Sequence, residues 1–438
     1  MSLFADGFTE TPYWWADAPP RAGLPSSALG DTDCLIVGSG LAGLNAAITL
    51  AQAGVAVTVI DRGLIGEGAS TRNGGQLSGG SKQSRQALVR RFGETRAAEI
   101  AADFQAVVPF ITDRIRRLGI ACHLEERGIF VGAHTSADYR AFEAEHAAAP
   151  PEEQARNRLV PRDQVRTELA TSIYAGGYVY GAAGQLHPGL YHAGLRAAAE
   201  RLGVKLVSQA EFHGVERKGD RFTARVNDGA IDCRRIMVMT NGYSGAATPW
   251  IQHRLIPVRS YIIATEELPN VAELIPGGRP LADTKRILYY YRNSPDRRRI
   301  LFGGRASFQD VDARTSAVTL HQFLTGVFPQ LAKVRLTHAW YGNVAFAFDW
   351  LPHFGQHDGV YFACGCNGSG VPMLSYLGDR AARSMLADGK EMGGLGSVPF
   401  PTMPGYRGRP WFLPLVGTAY RWTDRLRRRL DRHPEARP

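Results

Sequence analysis

The feature that most constrains this chain is Gly38-Ser-Gly40-Leu-Ala-Gly43, set between an apolar run and an Ala/Leu-rich segment. The run before it, Asp33 to Gly38, suits a buried parallel strand, and Leu41 to Ala53, ended by Gly54, predicts a helix. A second apolar run, Val55 to Ile60, closes a βαβ unit of about 30 residues. G-x-G-x-x-G alone is common, but here it falls where its chemistry needs it. Gly38 allows the tight turn, Gly40 lets backbone approach a pyrophosphate, and Gly43 lets helix and strand pack closely. The helix N-terminus offers unpaired N–H groups to phosphates. Asp61 ends the second strand 18 residues after Gly43, near the separation expected for a ribose-binding acid.

Two later segments favour FAD over NAD. Gly68-Ala-Ser-Thr-Arg-Asn-Gly-Gly-Gln76 lies in a loop, residues 66–80, too glycine-rich for a regular element. Gly365-Cys-Asn-Gly-Ser-Gly-Val371 follows an apolar strand, Val360 to Cys364, and precedes a helix from Leu374 to Leu386 whose dipole suits the flavin's pyrimidine end. A nicotinamide enzyme needs neither loop.

Further helices are expected over 84–118, interrupted near Pro109, and over 189–202. Strand-like runs fill Lys205 to Thr240 and then Pro257 to Phe308, including Tyr261 to Ala264, Ile287 to Tyr291 and Ile300 to Gly304. The order implies an α/β chain, α+β overall: a Rossmann-like FAD-binding domain with an inserted antiparallel-sheet substrate domain. The boundaries read as 1–85 for the first FAD-binding part with an N-terminal arm, and 86–185 for a helical and sheet segment of the substrate domain. The FAD-binding domain then resumes over 186–250, the substrate sheet fills 251–340, the last FAD-binding part is 341–390, and 391–438 is an extension with a basic tail.

Composition adds limits. The 438 residues are 44% hydrophobic and 21% charged, enough for two or three domains with a deep pocket. No apolar stretch is long enough to span a bilayer, and the first residues carry Asp6, Glu10 and Asp17 rather than a signal sequence. Five scattered cysteines argue for a reducing, cytoplasmic setting, and Cys364 with Cys366 is no zinc site; no metal is expected. The net charge of +10 is concentrated in Arg297-Arg298-Arg299 and in the tail from Arg421 to Arg437. Neither run belongs to a nucleic-acid module, and both read as solvated surface. The stretch from Trp411 onward reads as an aromatic segment packed on the body, with an anionic membrane as the alternative.

The motifs together resemble the D-amino-acid oxidase/glycine oxidase/sarcosine oxidase family, nearest its γ-glutamylputrescine oxidase branch, from about Asp33 to Leu386. The marks are the G-A-S-x-R-N-G-G-Q loop, Met239-Thr240-Asn241-Gly242, Gly184-Gln-Leu-His-Pro188, Trp340-x-Gly342, Asp349-x-x-Pro352-x-x-Gly355 and Gly368-Ser-Gly370. The resemblance implies extended FAD, with Gly38, Gly40, Gly43 and Asp61 on the AMP half. Ser70, Asn73, Gly74 and Gln76 would line the ribityl and isoalloxazine region, and Val215 and Gly242 would approach the adenine side. Gly365, Gly368, Ser369 and Gly370 would close over the flavin. Covalent relatives use a Cys after the Trp-containing strand; Asn343 to Asp349 has none, so non-covalent FAD is expected. The arginines that hold a carboxylate in the glycine oxidase branch are replaced by Val344 and Gly368.

The reaction implied is oxidation of a C–N bond: hydride leaves the carbon beside nitrogen for flavin N5, and water hydrolyses the imine. Molecular oxygen is the expected acceptor, a membrane acceptor the alternative. In the inserted sheet, Tyr289 and Tyr291 share one face, with Tyr290 and Arg292 on the other. Arg305 falls where sarcosine oxidase has an active-site His and suits a bidentate carboxylate clamp. Arg259 and Tyr261 are further candidates. His187 reads as a helix-cap residue and Cys366 as a packing residue. These features fit an amino acid or an N-substituted glycine, sarcosine-like or iminodiacetate-like, with γ-glutamylated polyamines as the alternative.

Overall fold

A computed structural model of the chain describes residues 2–305, 310–390, 392–396 and 398–431. The apolar runs around the glycine fingerprint form a parallel sheet, as strands buried on both faces should. Thr32–Val37 lies between Val57–Ile60 and the C-terminal half of Gly229–Val238; Lys205–Val207 and Val360–Cys364 extend the parallel set on its two sides. One face packs under the helices Leu41–Gln52, Glu94–Leu118, Pro188–Arg201 and Gly370–Leu386. The other face, Leu35, Val37, Ile60 and Val207, is covered by the meander Phe212–Lys218, Arg221–Val226 and the start of Gly229–Val238. A buried ion pair, Arg114 to Asp379 at 2.6 Å, ties two of the helices together, and Thr49 of a third donates to the same carboxylate.

The second sheet has nine strands in the order Phe4–Thr9, Leu336–Ala347, Leu255–Thr265, Ile300–Gly304, Tyr289–Asn293, Leu281–Asp283, Ile129–Gly132, Gly176–Tyr180 and Arg158–Pro161. It is mixed rather than purely antiparallel: Phe4–Thr9 on Leu336–Ala347 and Leu281–Asp283 on Ile129–Gly132 run parallel. One face packs on the helix Ala313–Val327 around Tyr261, Tyr291, Phe302, Leu320 and Leu324.

The expected boundaries shift accordingly. Helix Glu94–Leu118 buries Ile100, Phe104, Val107, Ile111 and Ile115 in the nucleotide-domain core, so the substrate sheet's share of 86–185 starts only at Ile129. The strand after Trp340 stays in the substrate sheet to Ala347, past the boundary at 341, and the N-terminal arm is that sheet's edge strand. The break in 84–118 is at Gly93, whose φ of +79° ends one helix and starts the next, while Pro109 sits inside a continuous helix. Residues 432–438 of the basic tail lie outside the described residues.

Candidate flavin and substrate site

The strand Thr32–Val37 delivers the fingerprint to the N-terminus of helix Leu41–Gln52. Gly38 turns with φ +104°, and a Cβ on Gly43 would stand 1.9 Å from the Gly38 carbonyl oxygen, so neither position tolerates a side chain. The first helical N–H, on Leu41, donates to Ser70 Oγ at 3.0 Å, which brings the second glycine loop to the end where phosphates would bind. Asp61 is fixed beside this cradle: Ser39 donates to it from N at 2.9 Å and from Oγ at 2.6 Å, and Gly63 N donates at 3.2 Å. Buried His192 backs the turn through Nε2 and the Ser39 carbonyl at 2.8 Å, and burial lowers its pKa. A glycine cradle, a helix N-terminus and a fixed acid fit the AMP half of FAD.

The loop from Gly68 to Gln76 is held by three indoles. Trp14 Nε1 donates to the Asn73 carbonyl at 2.8 Å, Trp15 Nε1 to Thr71 Oγ1 at 2.9 Å, and Trp340 Nε1 to the Arg72 carbonyl at 2.7 Å. Gly342 leaves the room this approach needs, since a Cβ there would meet Arg72 Cβ at 3.3 Å. Buried Arg292 donates to the Leu186 carbonyl at 2.7 Å and to the Gly74 carbonyl at 3.3 Å. The expected lining roles of Asn73 and Gln76 need correction. Asn73 spends its amide on Ala69 and Ser70 carbonyls and accepts Gly75 N–H at 2.8 Å. Gln76 donates to the Leu281 and Tyr291 carbonyls. Their side chains shape the loop and join it to the substrate sheet; Gly74 faces the Tyr290 ring.

On the third side, Asn241 with φ +43° accepts Gly365 N–H at 2.9 Å, and the neighbouring Gly242 is buried against Asn343. Gly365 and Gly368 take φ of +75° and +98°, and Ser369 precedes the helix Gly370–Leu386, whose N-terminus therefore opens on this loop. Cys366 is buried, with its thiol pKa raised by that burial, in keeping with a packing role. Val215 pairs with Ala224 inside the meander. The contact with the Asp61 segment comes earlier in the chain, from Ala210 N to the Asp61 carbonyl and Gln209 N to the Gly63 carbonyl.

The substrate sheet separates the remaining candidates by face. Tyr289 stacks on Phe323 at 4.7 Å and holds Lys285 over its ring at 3.8 Å. Tyr291 is buried against Phe302 at 5.1 Å and shares a 3.1 Å hydrogen bond with Tyr174. Tyr261 donates to the Val311 carbonyl at 3.0 Å, and Arg259 pairs with Asp310 at 3.2 Å over the Tyr341 ring. All four lie on the helix-covered face, so they brace the fold and do not line the cavity. The alternation that puts them there turns Tyr290, Ser260, Gly303 and Arg305 to the face of the flavin loop. Tyr290 shares a 2.8 Å hydrogen bond with Ser260, and burial raises its pKa to about 12. The Arg305 guanidinium stands 5.0 Å over the Phe346 ring, its pKa lowered by burial, within the field of Tyr290 and of Tyr420.

Across from this face, Lys82, Phe104, Trp350, Cys366 and Ser369 line a small cavity. Lys82 is an exposed residue at the edge of that cavity, and desolvation by the surrounding protein lowers its pKa. Trp350 meets Phe346 edge-on at 5.4 Å, linking the two walls. Sequence reasoning missed Phe346, Trp350 and Lys82. Their one signal was closeness in sequence to Trp340-x-Gly342 and to the first glycine loop. His187 is the N-cap of Pro188–Arg201, accepting Leu190 N–H at 3.1 Å, as expected.

The parallel sheet, the phosphate cradle and the glycine loops packed beside it define a flavin-dependent oxidoreductase. The chain belongs to the FAD dependent oxidoreductase (DAO) family, which it matches over residues 33–384. It is 29% identical over 422 residues to a probable oxidoreductase OrdL of Rhizobium meliloti, covering 93% of this chain and 97% of that protein. It is 27% identical over 408 residues to the γ-glutamylputrescine oxidoreductase of Escherichia coli, covering 90% and 93%. Among solved structures, iminodiacetate oxidase from a Chelativorans species superposes with a TM-score of 0.67 at 18% identity, over 84% of this chain and 98% of that one. At that identity the likeness is one of fold.

Proposed function

We propose that this oxidoreductase oxidises the C–N bond of an amine that carries a carboxylate, an amino acid or an N-substituted glycine of the sarcosine or iminodiacetate kind. The observation that carries the reading is Arg305, a partly buried guanidinium on the face of the substrate sheet turned to the flavin loop. Bound FAD supplies the two-electron acceptor. Arg305 holds the carboxylate, and a planar guanidinium fixes its orientation as well as its charge. Tyr290, Phe346 and Trp350 wall the reacting carbon from water. Gly38, Gly40, Gly43, Asp61 and Ser70 hold the nucleotide half non-covalently, and Gly365, Gly368, Ser369 and Gly370 close the pyrimidine end.

The electrons go on to molecular oxygen in this reading, which hydrogen peroxide release measures directly. A second reading, a γ-glutamylated polyamine, is favoured by the identity with γ-glutamylputrescine oxidoreductase. It too carries a carboxylate, but far from the reacting carbon. Anaerobic flavin bleaching by a panel of amines tests the proposal. N-substituted glycines should bleach the flavin faster than γ-glutamylated or uncharged amines, and the reverse order would give the second reading the site.

A further inference from the structure

The C-terminal helix Leu413–Leu430 presents two unlike faces. The inner face is fastened to the substrate domain. Asp424 accepts the N–H groups of Arg286 at 3.0 Å and Ile287 at 3.1 Å, Asp431 accepts Ser136 N–H at 2.7 Å, and Arg427 pairs with Asp138. Gly417, one turn into the helix, is buried. The outer face is a stripe of Leu415, Ala419, Trp422, Leu426 and Leu430, at helical spacing of four, three, four and four, with Trp411 one turn before it.

The stripe is unusually bare. Trp411, Leu415, Trp422, Leu426 and Leu430 are 69, 70, 71, 56 and 78% exposed, whereas every other exposed large apolar side chain among the described residues is below 50%. Solvent does not favour such a row, so something covers it. Its flank carries exposed Arg425 and Arg429, while Asp424 in the helix and Asp431 just after it both turn inward, so that among the described residues the outer face carries no acid. The helix is not long and apolar enough to cross a membrane.

We infer that this face docks on a bilayer surface containing anionic phospholipid. The Trp and Leu side chains enter the headgroup boundary, and the arginines meet lipid phosphates. Trp at two points along a straight stripe suits a flat interface, where an indole is half apolar and half wet. Of the segment expected to pack against the body, the inner face does so, while Trp411 and Trp422 stay exposed.

Vesicle co-sedimentation of the FAD-loaded full chain tests this. Vesicles of phosphatidylcholine with one third phosphatidylglycerol should take up the protein, and phosphatidylcholine alone should take up far less. The pair Trp422→Ser with Leu426→Ser should abolish uptake with FAD content and turnover of soluble substrate unchanged. The pair Arg425→Gln with Arg429→Gln should weaken it roughly thirty-fold. No uptake by either vesicle, or equal uptake by the Trp/Leu pair, would overturn the inference. So would a concentration-dependent dimer that the Trp/Leu pair dissolves, since a second copy would then be the occupant.

Discussion

Tyr290 lies across Gly303 so closely that a Cβ on the glycine would stand 2.2 Å from Cε2 of the ring. The ring is thereby locked between the substrate sheet and the Gly74 loop, with its hydroxyl on Ser260. Gly303→Ala should displace it, costing about 1–3 kcal/mol of stability and lowering kcat/KM. Tyr290→Phe, which keeps the shape and loses one hydrogen bond, should cost about 1 kcal/mol. Thermal unfolding and single-turnover bleaching measure both. A Gly303→Ala protein with wild-type stability would show that the ring is free to move.

That relationship also shows what could be read beforehand and what could not. The nucleotide half was legible because its chemistry needs glycines, an acid and apolar strands at fixed local spacing, and Gly38, Gly43 and Asp61 stand where that spacing put them. The substrate sheet was harder. Tyr289, Tyr290 and Tyr291 offer the same residue at both parities, so a period of two assigns two faces without saying which meets the flavin loop. The deciding partner, Gly303, is a neighbour only through strand pairing. The anchoring of Asn73 by Trp14 crosses 59 residues and has no local signature.

Trp340 gives the second test. Its indole N–H is the partner of the Arg72 carbonyl at 2.7 Å, in a partly buried contact between the substrate sheet and the glycine loop. Trp340→Phe leaves that carbonyl unpaired and should cost about 1–3 kcal/mol from the lost bond, with more from lost packing. FAD should dissociate faster, because in the proposed site the loop it holds forms one wall. Unfolding and flavin release by fluorescence check the pair, and an unchanged release rate would separate Trp340 from the loop.

Asp61→Ala removes the proposed acceptor for the ribose hydroxyls and frees Ser39. FAD affinity should fall by about 1.5–3 kcal/mol, roughly ten- to a hundred-and-fifty-fold. Asp61→Asn should recover part of it. Titration of apoprotein with FAD measures the difference, and equal affinities would remove Asp61 from the site.

His187 predicts a pH dependence. Burial, opposed by Asp17, lowers its pKa to about 4 in the fold from an ordinary value near 6.5. The unfolded chain therefore binds more protons between these values. The neutral cap contributes fully above about pH 6.5, and its contribution is lost as pH falls towards 4. The loss should be about 3 kcal/mol. His187→Asn, a cap that does not titrate, should flatten the profile in that window. Parallel profiles for the two proteins would assign the acid sensitivity elsewhere.

The central claim is that Arg305 clamps a substrate carboxylate, and Arg305→Ala tests it most directly. With FAD content and fold intact, kcat/KM for a carboxylated amine should fall by about 2–4 kcal/mol, roughly thirty- to a thousand-fold, chiefly through KM. Arg305→Lys should restore only part, since an ammonium lacks the planar fork. An uncharged amine should be affected far less. Equal losses on carboxylated and uncharged amines would contradict the account, and would make Arg305 a structural residue beside Phe346.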